Sequence, residues 1–353
     1  MERIVPDSLA ADSDSDSVIA TQDSAVYLLT EAMGYTFSAA LRAAAILGVA
    51  DHLVDGPRTP GELASPTNSN ADFLYRILRL LATRDVFRED GNGRFHLTPR
   101  AEALRTDVPS SARRGIIMST MRTHWLTAFE LATAVRTGRQ VCETVFGAPF
   151  FDHLAQDPDG GAEFHNGMES FSDAARQFAL RAYEFPEFGT VVDVGGGHGG
   201  FLADVLRRNP GLRGVLFDQE HVLANHCLGQ LTDDRWDLAA GDFFAAAPTG
   251  GDLYTLMYIL HDWSDAECVR ILRNCRRAMG PDARIAVFDS VVPVGNDPDY
   301  AKVLDIIMLM MLTGRERTAT EFEQLFAEAG LELTRIVPTR GPLSVIEAVA
   351  RRI

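Results

Sequence analysis

At 353 residues, 46% apolar and 23% charged, the chain has the composition of an ordinary globular protein with room for two domains. A formal net charge of −16 argues against a nucleic-acid surface, and no apolar run reaches membrane-spanning length. Cys142, Cys227, Cys268 and Cys275 form no C-x-x-C pair and no secretion signal is legible, which fits a reduced, cytoplasmic protein.

Residues 1–22 contain Asp12-Ser13-Asp14-Ser15-Asp16-Ser17, acidic with little to bury, and read as a disordered tail. Residues 23–111 begin with a helical stretch from Ala25 to Leu53, where Phe37, Leu41, Ala44, Ala45 and Leu47 make a broad apolar face that Gly56-Pro57 ends. Thr59-Pro60-Gly61-Glu62 opens a short helix with Pro at its first position. Asn70 caps the next, where Leu74, Ile77, Leu78 and Leu81 recur at helical spacing. Val86-Phe87 and Arg94-Phe95-His96-Leu97 flank Asp90-Gly91-Asn92-Gly93 as a hairpin. Three helices and a hairpin predict a winged-helix domain. Its Arg76, Arg79 and Arg84 interleave with core leucines, so in an acidic chain a structural, dimerising role outweighs DNA contact. Residues 112–185 read as a helical connector, and from 186 onward strand and helix patterns alternate, predicting an α/β domain with a parallel sheet.

Val191-Val192-Asp193-Val194 suits a buried strand, and five of the six positions Gly195 to Gly200 are glycine before an amphipathic segment, Phe201 to Asn209. Strand, glycine turn and helix form a cradle for a nucleotide-like cofactor: the glycines let backbone approach the ligand, and the helix start offers unpaired N–H groups. Gly195, Gly197 and Gly200 also satisfy the dinucleotide pattern G-x-G-x-x-G, and Asp218, ending Gly214-Val215-Leu216-Phe217, would hold ribose hydroxyls in either case. The surroundings separate the two. A second acid, Asp242 in Gly241-Asp242-Phe243-Phe244, follows the next strand, where an adenine would lie. A strand over Asp252–Leu260 then leads to His261-Asp262-Trp263 and the capping box Ser264-x-x-Glu267. Leu331–Pro338 and Leu343–Val349 predict a terminal antiparallel hairpin, which a dinucleotide dehydrogenase does not need.

One acid per strand end followed by His-Asp-Trp resembles the small-molecule O-methyltransferases of the caffeic acid and isoflavone type and their bacterial natural-product counterparts, over residues 25–353. The resemblance implies a Rossmann-like methyltransferase sheet on residues 186–353, a homodimer formed through the N-terminal helices, S-adenosylmethionine as cofactor, and a small aromatic substrate without a metal. It implies that Gly195 and Gly197 meet the methionine portion, Asp218 and Gln219 the ribose, and Asp242 and Phe243 the adenine. Asp193, Ser172, Met257 and Tyr258 complete that site. Met257 departs from the pattern, since many relatives carry there a Lys that helps hold the cofactor's carboxylate.

A phenol, with a pKa of about 10, is protonated at neutral pH, so its transfer chemistry calls for a base such as histidine. His261, at a strand's C-terminal end, lies on the ligand-binding edge of an open α/β sheet. The resemblance implies that Asp289 and Glu316 support it, one bonding the imidazole and the other across the substrate, without fixing which. Met168 matches the family's Phe-Asn-x-x-Met element and points to the substrate pocket, with Phe171, Trp125 and Asp262 as further candidates. Asp305–Leu312 is apolar nearly all round and therefore predicted to be buried somewhere, with Met308 and Met311 together on one face, lining either the pocket or the core and dimer interface. Some relatives with altered His-Asp positions hydroxylate or decarboxylate instead. His261, Asp289 and Glu316 are all present here, which favours transfer.

Overall fold

The computed structural model describes residues 23–108 and 111–351, so the acidic run of residues 12–17 lies outside them. The chain divides into two compact units, Met1–Thr120 and Met121–Ile353.

In the first unit residues 23–32 are helical, followed by α1 (Tyr35–Ile46), α2 (Pro60–Ala64) and α3 (Ala71–Ala82). The local signals act as their chemistry dictates. Thr59 and Glu62 form a reciprocal capping box, and Asn70 Oδ1 accepts the Asp72 and Phe73 N–H groups at 3.0 and 3.1 Å. β1 (Phe87–Glu89) pairs antiparallel with β2 (Phe95–Leu97), and Asp90 accepts from the Asn92 and Arg94 N–H groups to hold the turn. Leu63, Leu74, Leu78, Leu81, Phe87 and Phe95 make the core, each buried leucine contributing about 1.5–3 kcal/mol. Val26, Tyr27, Leu28, Leu29 and Phe73 remain exposed, more apolar surface than a finished monomer usually leaves open.

In the second unit the connector helices, among them α4 (Arg122–Phe129) and α5 (Pro158–Ala182), belong to the same body as the sheet. The strands are β3 (Gly189–Val194), β4 (Leu212–Asp218), β5 (Trp236–Ala240), β6 (Leu253–Met257), β7 (Arg284–Asp289), β8 (Leu331–Pro338) and β9 (Ser344–Ala350). Their spatial order is β5-β4-β3-β6-β7-β9-β8, parallel from β5 to β7, with β9 antiparallel to both β7 and β8. The terminal hairpin therefore forms as the sequence predicts. β3, β6 and β7 are buried on both faces, as their unbroken apolar runs require. After β3 the chain builds outward through β4 and β5, then returns to place β6 on β3's other side. That reversal makes the C-terminal end of β3 the point where open α/β sheets hold ligands.

One expectation is corrected. The strand predicted to reach Leu260 stops at Met257, because Tyr258 adopts φ +56°, a left-handed conformation rare for a bulky residue. Leu260–Asp262 forms a tight 3₁₀ turn instead, before α7 (Asp265–Ala278) opens on the Ser264–Glu267 capping box. The methionine-rich helix α8 (Tyr300–Met311) has one buried and one uncovered face in the single chain. Leu304, Met308, Met310 and Met311 are buried, while Val303, Ile306 and Leu309 form an exposed stripe at helical spacing.

Candidate active site

The glycine turn between β3 and α6 (Gly200–Arg208) is shaped by what lies beneath it. Gly195 and Gly197 have φ +70° and +59°, and a Cβ on Gly196 would fall 2.5 Å from both Asp193 Oδ2 and Leu216 Cδ1. Asp193 is thus packed under the loop, where its Oδ1 accepts the Thr255 hydroxyl at 2.8 Å and burial pushes its carboxyl up to about 7. Asp218 ties the turn from the neighbouring strand: its Oδ2 accepts the Gly197 N–H at 2.8 Å and its Oδ1 the Gln219 N–H at 2.7 Å. A carboxylate has lone pairs to spare beyond those two bonds, the acceptor capacity that paired ribose hydroxyls need. Gln219 and Asp242 are exposed, and Asp242 Oδ1 accepts the Phe244 N–H at 2.8 Å. Ile259 and Phe243 close on Gly195, while a Cβ on Gly197 would meet nothing within 4 Å. Bare backbone bordered by acids at two adjacent strand ends fits a nucleoside cofactor.

Beside this cradle stands His261. Its Nδ1 lies 2.8 Å from Glu316 Oε1 and its Nε2 3.3 Å from Asp262 Oδ1. The acid bonded to the ring is therefore Glu316. Asp289 is fully buried at the end of β7, and neither of its oxygens has a hydrogen-bond partner among the described residues. Burial alone would depress the imidazole, but Asp262, Glu316 and Asp289 outweigh it and push His261 up to about 10. Burial, reinforced by Glu316, pushes Asp289 up to about 7, against the pull of His261.

Three features that brace this group were not legible in the sequence. Arg317, only 1% exposed, donates from Nη1 to the Leu260 carbonyl and from Nη2 to the Trp263 carbonyl, both at 2.9 Å. Its Nε donates to Asp265 Oδ1 at 2.9 Å, so one side chain pins both ends of the His261 turn to the start of α7. Gly314 packs so closely that a Cβ there would fall well inside the contact distance of the His261 carbonyl oxygen. The Glu316 N–H donates to Asp305 Oδ1 at 3.0 Å, and the Val292 N–H to the Arg317 carbonyl at 2.9 Å, stitching this segment to α8 and to the chain beyond Asp289. Arg317→Met is expected to cost about 1–3 kcal/mol, because the Leu260 and Trp263 carbonyls lose their charged donor and keep only weaker ones, the Cys268 thiol and, for Leu260, the Trp263 N–H. Chemical denaturation of the variant checks this, and unchanged stability would remove the bracing role.

Of the remaining candidates, Tyr258 stands beside His261 and brings Phe171 and Met257 with it. The Tyr258 ring lies 5.4 Å from that of His261 and 5.8 Å from that of Phe171, and Tyr300, unremarked in the sequence, stands 6.0 Å from Phe171. Met168 and Ser172 are half-buried on α5, and Met257 packs in the cluster that holds Phe171 and Tyr258. Trp125 is half-buried on α4, which packs against α8, the carrier of Met308 and Met311.

A glycine cradle at the sheet's switch point, acids on successive strand ends and a buried histidine beside them define an α/β transferase that binds a nucleoside cofactor. Comparison with known proteins gives the family. A family model described as the O-methyltransferase domain matches residues 129–332, and one described as the O-methyltransferase dimerisation domain matches residues 29–107. The chain is 39% identical over 324 residues to phenazine O-methyltransferase PhzM of Lysobacter antibioticus, covering 91% of this chain and 95% of that protein. It is similar in structure to CalO1, a methyltransferase in calicheamicin biosynthesis solved with SAH bound, with TM-score 0.88, 48% identity and coverage of 93% of this chain and 98% of that one. It is also similar to NcsB1, an O-methyltransferase from neocarzinostatin biosynthesis solved with S-adenosylmethionine and 2-hydroxy-5-methyl naphthoic acid. There the TM-score is 0.71 at 32% identity, covering 89% of this chain and 95% of that one. The chain belongs to the O-methyltransferase family and is an S-adenosylmethionine-dependent enzyme. No helix among the described residues is long and apolar enough to cross a membrane.

Proposed function

We propose that this enzyme methylates a phenolic hydroxyl of a small aromatic natural product, with His261 accepting the hydroxyl proton. The observation that carries this reading is the 2.8 Å pair between His261 Nδ1 and Glu316 Oε1 beside the glycine cradle. Glu316 holds the ring so that Nε2 is the proton-accepting atom, and Asp262 and Asp289 stabilise the imidazolium that results. At about 10 the imidazole is mostly protonated near neutrality, so the accepting form grows as pH rises. A proton acceptor near 10 matches a phenol near 10, so the transfer is close to balanced.

Bound S-adenosylmethionine supplies a methyl group already electrophilic on its sulfonium. The residues that would hold it are Gly195 and Gly197 at the methionine portion, Asp218 and Gln219 at the ribose, and Asp242 and Phe243 at the adenine. Asp193 would order the loop from below, with Ser172, Met257 and Tyr258 at the methionine end. Met168, Phe171, Trp125, Met308 and Met311 would line the aromatic pocket, and holding both reactants in line contributes much of the rate. The enzyme works as a homodimer in a reducing, cytoplasmic setting. The dimerisation domain and its exposed apolar side chains support the first, and the free state of all four cysteines is consistent with the second.

A panel of phenols incubated with methyl-labelled cofactor tests the reading. The expected result is one added methyl per product and one S-adenosylhomocysteine released with it. A product hydroxylated or decarboxylated without that release would overturn it.

A further inference from the structure

Residues 23–32 form a helix that nothing in their own unit covers. Every residue from Asp23 to Met33 is exposed, and Val26, Tyr27, Leu28 and Leu29, which between them point to all sides of a helix, are 63, 64, 65 and 65% open. A helix this short and apolar on every side is marginal in water and needs a surface to cover it. In the homodimer proposed above, on which this inference rests, that surface belongs to a second copy. The dimerisation model begins at residue 29, so residues 1–28 lie outside it. The helix therefore delivers the acidic residues that precede it, Asp12, Asp14 and Asp16, to the partner.

The other half of the contact is a groove of about 840 Å³ between α1 and α3, lined by Ala39, Ala43, Ile77 and Leu80 together with Arg76 and Arg79. Its size is that of a binding pocket. Arg76 and Arg79 are three apart on α3, so their charges repel. Arg76 lies over the Phe73 ring and Arg79 over the Tyr75 ring, both at 5.5 Å, and Arg84 lies over Phe37 of α1 at 4.3 Å. All three arginines are exposed, and none forms an ion pair among the described residues. In a chain of net charge −16 such a basic face calls for an anionic partner, and the acidic run matches it. In an extended chain Asp12, Asp14 and Asp16 stand on one side at a spacing of about 7 Å, close to the roughly 5–6 Å between residues three apart on a helix. Val18-Ile19-Ala20 follows directly, with apolar side chains for the alanine- and leucine-lined part of the groove.

We propose that residues 12–20 of one copy dock in the α1–α3 groove of the other, with Asp12, Asp14 and Asp16 against Arg76, Arg79 and Arg84 and with Val18-Ile19-Ala20 in its apolar part. A two-fold dimer makes this contact twice. The arginines of the winged-helix domain thereby find their anion inside the protein, in place of nucleic acid.

Sedimentation velocity across a dilution series of the full chain tests this. The tail is reversed by Asp12→Lys, Asp14→Lys and Asp16→Lys, and the face by Arg76→Glu, Arg79→Glu and Arg84→Glu. Wild type is expected to be dimeric. Each reversed chain alone should dissociate roughly 10- to 100-fold more readily at low salt, because weak exposed pairs become repulsions at both contacts. It should approach wild type at about 1 M salt, where screening acts within roughly 3 Å. An equimolar mixture of the two should regain near wild-type affinity, because in the mixed dimer each reversed tail meets a reversed face. Reversed chains that dimerise like wild type would overturn the proposal, as would a mixture without recovery. Recovery only when all the substitutions share one chain would put the tail on its own groove and overturn it too. Arginine-dependent retardation of duplex DNA by wild type at physiological salt would show the face open to nucleic acid, with the same consequence. Should the face-reversed chain fail to fold, the tail-reversed chain still decides by its salt dependence. A wild type that stays monomeric would overturn the homodimer reading, and this proposal with it.

Discussion

His261→Ala is expected to reduce kcat by roughly 10²-fold or more while leaving S-adenosylhomocysteine affinity within about twofold. The separation follows from the architecture. His261 stands on the 3₁₀ turn after β6, held by Glu316 and Arg317, whereas the cradle is built by the turn after β3 and by Asp218. Removing the imidazole deletes the proposed proton acceptor without touching the glycine backbone proposed to approach the cofactor. It also leaves Glu316, Asp262 and Asp289 without their cation, so a thermal melt must accompany the kinetics to show that the variant is folded. The defect should shrink as the assay approaches pH 10, where a phenol ionises unaided. A folded variant with near-normal turnover at neutral pH would remove His261 from the mechanism.

Glu316→Gln carries the second large effect, and its sign separates electrostatics from geometry. The free enzyme must have His261 unprotonated to accept a proton. With the imidazole at about 10, kcat/KM should therefore climb close to tenfold per pH unit between about 7 and 9. Glutamine keeps the shape but removes one of the charges that raise the imidazole, so the rising limb should move to lower pH. The limiting rate should fall roughly 10²-fold, because an amide no longer enforces the tautomer that leaves Nε2 free. A limb that stays in place would show that Glu316 does not set the basicity of the ring. A limb that moves with no loss of limiting rate would show that it does not orient it.

The parts of this enzyme that the sequence makes legible are those where local chemistry and distant packing ask for the same residue. Val191 to Gly200 must be a strand and a turn, because its apolar run and its glycines admit little else, and the capping boxes at Thr59 and Ser264 announce helix starts from four residues each. His261, Glu316 and Asp289 were accessible through family resemblance, but which acid bonds the ring depends on a turn and a loop meeting across 55 positions of chain. Nothing local marks Arg317 for full burial, and the carbonyls of Leu260 and Trp263 with the Asp265 carboxylate explain it. Tyr258 continues an apolar run, so the period predicts strand, whereas tertiary packing turns its backbone into the left-handed region and ends β6 three residues early. The α8 stripe is legible only in part. Its composition says only that it is apolar, and composition cannot say that Val303, Ile306 and Leu309 stay uncovered in the single chain.

In the proposed mechanism three carboxyl groups raise one buried imidazole into the range of the phenol it would deprotonate. Nitrogen NMR of the ring, assigned by its absence in His261→Gln, reads that directly in the resting enzyme. Both ring nitrogens of His261 should still be protonated at pH 8 and titrate near 10. A neutral ring at pH 8, titrating near the ordinary 6.5, would contradict the account.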